Sequence, residues 1–97
     1  MKSIKVDKDL EDIMPEFLEH RKKDLEILQN AINKSEFNEV RIIGHRLAGN
    51  APSYGLDDLG PIGDKLEEAA RNQDKQTIVK LINEYKAYIK DLKIVFE

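Results

Sequence analysis

The sequence contains no cysteine or tryptophan and only three prolines among its 97 residues. The absence of cysteine excludes disulfides and thiolate metal sites, which fits a reducing compartment, and we expect a cytoplasmic protein. No long apolar run is present, so we expect neither a signal peptide nor a membrane-spanning helix. Acidic and basic residues are interspersed, with a formal net charge of -3. Because nucleic-acid binding needs a basic surface, nucleic acid is not an expected partner.

The sequence does contain many charged and aliphatic residues. Charged residues make up 36% and hydrophobic residues 40% of the chain. A chain of this length forms one small domain, so we treat residues 1–97 as a single unit. Apolar residues recur at spacings of three and four, and no stretch alternates with period two for more than a few positions. These patterns predict an all-α protein.

Short polar breaks divide the chain into five predicted helices. A short N-terminal helix would carry Val6 and Leu10 and meet Pro15. The breaks before Glu36 and at residues 72–74 are only a few residues long, so successive long helices should lie antiparallel. The prediction is an up-down antiparallel four-helix bundle with a short additional N-terminal helix. Its long helices cover about 17–32, 36–54, 58–71 and 75–96, with Gly55 ending the second of them and Asp74 capping the last.

His45 is the main candidate for chemistry, since the chain has only two histidines and no glycine-rich phosphate loop. At about 100° per residue, His45 projects roughly 150° away from the apolar stripe of its helix. A histidine satisfied in the core would lie on that stripe, so His45 should face solvent. An ordinary surface histidine remains the alternative from spacing alone. His20 lies at the edge of the apolar stripe of the preceding helix and is interpreted as a boundary residue.

Two glycines flank His45 within the helix, where each costs up to ~1 kcal/mol relative to alanine. Gly49 lies four residues after His45 on the same face and would leave the imidazole open to another macromolecule. Close helix packing is the alternative explanation for such glycines, although Gly49 points outward. Ile42 projects to the same side as His45 and is a candidate partner contact. A single exposed isoleucine is also ordinary on any surface.

The run His45-Arg46-Leu47-Ala48-Gly49, followed by Gly55 and later by Leu66-Glu67, resembles the histidine-phosphotransfer family. That family carries the pattern H-x-[LM]-K-G, then a further glycine and a leucine–glutamate pair. The resemblance covers residues 13–74. It implies a phosphorelay intermediate that accepts a phosphoryl group on His45 and exchanges it with the aspartate of a receiver domain.

The resemblance also implies the partners, namely a response-regulator receiver domain, a histidine kinase, or both. The receiver would supply the metal ion and most of the electrostatic catalysis, so we expect no cofactor and no metal site in this chain. A chain this short lacks a nucleotide-binding module, so autonomous kinase activity is not expected. We expect the domain to be a monomer.

The sequence departs from the family pattern at Ala48, where the family usually has a lysine that offers its charge to the phosphoryl group. Arg41, one turn before His45 on nearly the same face, could support the phosphoryl oxygens instead, or it could be a solvated charge. Asp64, Glu67 and Glu68 are interpreted as a solvated face. Because of Ala48, a degenerate docking module that binds a signalling partner without carrying phosphate is the alternative function.

Overall fold

A computed structural model describes residues 2–97, without the side chain of Lys2. It contains four α-helices: α1 (Met14–Asn33), α2 (Phe37–Asn50), α3 (Leu59–Arg71) and α4 (Lys75–Asp91). Two short strands, β1 (Lys2–Val6) and β2 (Leu92–Phe96), flank them, and single 3-10 turns lie at Lys8–Leu10 and Pro52–Tyr54. None of the helices in the described part of the chain has the length and hydropathy needed to cross a membrane.

The helices enclose one hydrophobic core. α1 packs against α2 and α4, and α3 packs against the same two helices. The apolar spacing of three and four places one stripe of each helix inward, and burial of these stripes drives the packing. The four predicted long helices are confirmed and the protein is mostly helical, but the two strands correct the prediction of an all-α fold. Fully buried residues come from all four helices and include Leu28, Ile32, Val40, Ile43, Leu47, Leu66, Ile78 and Tyr85.

The predicted N-terminal helix is wrong, because residues 2–6 form a strand that pairs in parallel with β2. Ile4 lies opposite Ile94 and Val6 opposite Phe96. Ile4 and Val6 face inward, whereas Ser3 and Lys5 are exposed. Such alternation is typical of a half-buried strand. The stretch is too short, however, to predict a strand from the sequence without knowing that β2 pairs with it.

The C-terminal end of the last predicted helix is also corrected. α4 ends at Asp91, and in β2 the half-buried Leu92, Ile94 and Phe96 alternate with exposed residues. Leu92 and Phe96 fit a helical spacing of four as well as a strand spacing of two. The sequence was ambiguous at these positions, and pairing with β1 decides in favour of the strand.

Replacing Val6 by alanine should lower the free energy of unfolding by about 1–3 kcal/mol, because a cavity would open in the core. Val6 is 3% exposed and packs on the loop at Gly55, whereas Val95 in β2 is 40% exposed. Val95→Ala is the matched control and should change stability by less than about 0.5 kcal/mol. Urea denaturation followed by circular dichroism measures both. Equal effects of the two substitutions would contradict the inward register of β1.

α2 is shorter than predicted, ending at Asn50 instead of Tyr54. Pro52 has no backbone N–H and cannot continue the helical hydrogen-bond ladder, so the chain tightens into the turn Pro52–Tyr54. Gly55 follows with a φ of 84°, a left-handed conformation that favours glycine. The loop then returns toward the core, where Leu56 is fully buried.

α4 begins at the predicted cap. The backbone N–H of Thr77 donates to Asp74 Oδ1 at 3.2 Å, and the Thr77 hydroxyl donates to Oδ2 at 2.6 Å. These hydrogen bonds stabilise the carboxylate and hold the pKa of Asp74 below its usual value.

Candidate functional site

The candidate site lies where the backbones of α2 and α3 touch. A Cβ atom added to Gly44 would lie 2.7 Å from the carbonyl oxygen of Gly63 and 2.8 Å from the amide nitrogen of Glu67. A Cβ on Gly63 would lie 2.6 Å from the amide nitrogen of Ala48. Only glycine permits such a close approach. The seam therefore brings the side chains at the edge of α3 within reach of those on α2.

The two glycines that flank His45 have different structural roles. Gly44 is buried in the seam, whereas a Cβ on Gly49 would meet no atom within 4 Å. Close helix packing thus accounts for Gly44. Gly49 leaves open surface one turn from the imidazole.

The different roles predict opposite effects of alanine at these glycines. Gly44→Ala should destabilise the domain by about 1–3 kcal/mol, because the new methyl group would push two backbones apart. Gly49→Ala should leave stability unchanged or raise it by up to about 1 kcal/mol, since alanine favours the helix. Thermal and urea unfolding of the two variants provide the comparison. A Gly44→Ala variant as stable as Gly49→Ala would mean that the seam is looser than described.

His45 lies on the outer surface of α2, with 73% of its side chain exposed. Its Nδ1 atom is 3.2 Å from Oε2 and 3.4 Å from Oε1 of Glu67 on α3. An ionised carboxylate can only accept hydrogen bonds, so Nδ1 must carry the proton and donate. In the neutral imidazole, the lone pair then belongs to Nε2, on the side of the ring away from Glu67. The arrangement presents a nucleophilic nitrogen to an incoming molecule.

Glu67 is held from a second side by Arg71. The Nη2 atom of Arg71 lies 2.9 Å from Glu67 Oε2, the same oxygen that faces His45. Arg71 is one helical turn beyond Glu67, a spacing that lets side chains meet on a helix surface. The side chain of Glu67 is only 12% exposed, whereas that of Arg71 is 62% exposed. We refer to His45, Glu67 and Arg71 as the His45 cluster.

The interpretation of Glu67 as part of a solvated face is therefore wrong. A detectable signal was present in the sequence, since Glu67 follows Gly63 by four residues and shares its side of α3. Gly63 marks the side of α3 that packs closely on α2, and Glu67 continues it. The apolar stripe alone did not reveal this, because the contact is made through backbone.

The other predicted site residues lie elsewhere on α2, and His20 lies on α1. Arg41 donates from Nε and Nη2 to Asn38 Oδ1 at 3.3 and 3.0 Å, one turn back along α2. Ile42 is 36% exposed, and Ala48 is half-buried beside Gly63. His20 is exposed on α1. Within residues 2–97, no group of three or more histidine or acidic side chains is arranged to hold a metal ion.

A polar network fixes the C-terminal end of α2 against α1. Arg21 donates from Nη1 to Asn50 Oδ1 at 3.0 Å and pairs through Nε with Asp24 at 2.9 Å. Its guanidinium lies 4.7 Å from the ring centre of Phe17, which stacks on Tyr54 at 4.0 Å. These contacts restrain the helix that carries His45.

The pKa values of two groups in or next to this network differ from their usual values. Burial raises the pKa of the Asp24 carboxyl, although the positive charge of Arg21 opposes the shift. Burial, with the negative charge of Asp24, also raises the pKa of Tyr85, whose hydroxyl donates to the carbonyl of Arg21 at 2.7 Å. The Tyr85 hydrogen bond links α4 to α1.

Comparison with known proteins identifies the family of this chain. A search of curated proteins found no match, and a search of solved structures found none either. The sequence model of the Hpt domain matches residues 12–94, which span all four helices and include the whole His45 cluster. β1 lies outside the matched region. The chain therefore belongs to the Hpt domain family, whose members take part in histidine phosphotransfer in phosphorelays.

Proposed function

We propose that the chain is a phosphorelay intermediate that accepts a phosphoryl group on Nε2 of His45 and exchanges it with a receiver domain's aspartate. The observation that carries the proposal is the exposed imidazole whose Nδ1 is occupied by Glu67. A surface histidine without a function needs no such orienting partner from another helix. The family match supports the same chemistry.

Phosphoryl transfer to His45 forms one bond to phosphorus and breaks another. The lone pair of Nε2 attacks the phosphorus of the receiver's aspartyl phosphate, and an N–P bond forms. The bond between phosphorus and the aspartate oxygen breaks, and its electron pair leaves with the restored carboxylate. The imidazole ring, still protonated at Nδ1, then carries a positive charge. Glu67, 3.2 Å from Nδ1, stabilises that charge and holds the ring in orientation.

The receiver would approach the outer face of α2. Gly49 leaves room beside the imidazole, and Ile42 offers an exposed apolar contact on the same helix. A central apolar contact beside an open reactive group suits a transient protein–protein encounter. Arg41 is proposed to support the phosphoryl oxygens, for which it would exchange its bond to Asn38 for a charge-assisted one.

The proposal also includes the arrangement and setting expected for such a domain. The four helices would follow an up-down antiparallel order, and the domain would act as a cytoplasmic monomer in two-component signalling. A histidine kinase would be the second partner of the relay.

The alternative proposal is a docking module that binds a receiver without accepting phosphate. Ala48 is the specific observation in its favour, since the family pattern has lysine there. A mass measurement distinguishes the two functions. The intact protein is mixed with a phosphorylated receiver, and the proposed function requires a gain of one phosphoryl group that is labile in acid. Stable receiver binding without any mass gain would favour the docking module.

A further inference from the structure

The surroundings of His45 become strongly negative once it is phosphorylated. A phosphoryl group carries close to two negative charges near neutral pH, and it would be attached to a ring that contacts the Glu67 carboxylate. Glu67 is nearly buried, so water screens its charge poorly. A cation is needed close to both groups. Position 48, where the family usually has a lysine, is occupied by an alanine that contributes no charge.

Three arginine side chains of α2 and α3 are candidates for this cation, and they have different contacts. Arg41 is bonded to Asn38 on its own helix. Arg46, the residue after His45, is exposed and lies close enough to Asp24 for its charge to oppose the rise that burial causes in the pKa of that carboxyl. Within residues 3–97, only Arg71 makes a direct ion pair with the Glu67 carboxylate that also contacts His45.

We infer that Arg71 binds the phosphoryl group in addition to Arg41 and takes the place of the lysine absent at position 48. The inference rests on the proposed function. Arg71 uses one Nη2 contact with Glu67, and its guanidinium has five N–H donors in a fixed fork. Its side chain is 62% exposed, so solvent surrounds most of it on the surface that carries His45. A guanidinium can donate two or more hydrogen bonds at once. Arg71 can therefore contact the phosphoryl oxygens while it keeps its ion pair with the Glu67 carboxylate.

The first test is the equilibrium constant for phosphoryl exchange between His45 and a phosphorylated receiver, measured by intact mass for wild type and variants. Arg71→Ala should lower the phosphorylated fraction of this chain, with a fall in the constant of roughly three- to tenfold, as expected for an exposed charge contact. Arg71→Lys should retain most of the wild-type value. Lys65→Ala, which removes another exposed cation of α3, is the matched control and should leave the constant unchanged. The difference between wild type and Arg71→Ala should shrink as salt is raised.

The second test separates a phosphoryl contact from a structural role. Adding Ala48→Lys to Arg71→Ala should restore the exchange constant, because either cation could serve the same phosphoryl group. A lysine at position 48 would not repair a structural defect caused by the loss of Arg71. The inference is overturned if Arg71→Ala matches wild type, or if Ala48→Lys restores nothing. Absence of phosphorylation in wild type would instead overturn the proposed function, and the inference with it.

Discussion

Replacing His45 by glutamine is expected to abolish phosphoryl transfer from a phosphorylated receiver, with no detectable mass gain. Glutamine fills a similar volume but has no nucleophilic nitrogen, so the loss should be complete. Because 73% of the His45 side chain is exposed, the substitution should change the free energy of unfolding by less than about 0.5 kcal/mol. Intact mass spectrometry measures transfer, and circular dichroism during heating measures stability.

His20→Gln is the matched control for this prediction. His20 is also an exposed helical histidine, but it lies on α1, and among residues 3–97 no ion pair joins it to a carboxylate of another helix. We expect the His20→Gln variant to accept as much phosphoryl group as wild type. Labelling that persists without His45, or that is lost without His20, would show that His45 is not the phosphoacceptor.

The sequence allowed the helical core to be predicted because its apolar spacing is strong and local. Val40, Ile43 and Leu47 fall on one stripe, and the structure buries all three. The same angle of about 100° per residue places His45 on the side of the helix opposite the core. Such predictions need only the geometry of one helix. They do not depend on which other elements pack nearby.

The two strands could not be predicted in the same way, because each depends on a partner at the opposite end of the chain. β1 and β2 contain five residues each and pair in parallel, although all four helices separate them along the chain. A strand of that length has little intrinsic stability without its neighbour. Tertiary pairing, which a local pattern does not contain, decided the structure of both ends.

The site was predictable in part for a related reason. His45 and Gly49 belong to one helix, so their spacing revealed a shared open face. Glu67 reaches His45 only because Gly44 and Gly63 allow two backbones to touch. Glycine in a helix signals either open surface or close packing, and only the structure shows that Gly44 and Gly49 differ in this respect.

Replacing Glu67 by glutamine is expected to slow phosphoryl transfer to His45 by roughly tenfold. This corresponds to about 1.5 kcal/mol for the charge-assisted hydrogen bond between the Glu67 carboxylate and the imidazole. The amide oxygen of glutamine can accept a hydrogen bond from Nδ1–H, and its NH2 group can donate one to an unprotonated Nδ1. Donation would favour the tautomer in which Nε2 carries the proton and has no lone pair for attack. The neutral amide would also stabilise the positive ring of the product less well than the carboxylate does.

The Glu67→Gln variant should be compared with Glu68→Gln, an equally conservative change at the next residue, which is exposed on α3. Nitrogen-15 NMR of labelled histidine reports the proton position on His45, and rapid-quench mixing with a phosphorylated receiver reports the transfer rate. Wild type and Glu68→Gln should share the Nδ1–H tautomer and the same rate, whereas Glu67→Gln should show a mixture of tautomers and the slower rate. If tautomers mix while the rate stays at the wild-type value, orientation of the imidazole by Glu67 does not limit transfer. If the tautomer is unchanged and the rate still falls, the carboxylate acts through the charge that develops on the ring.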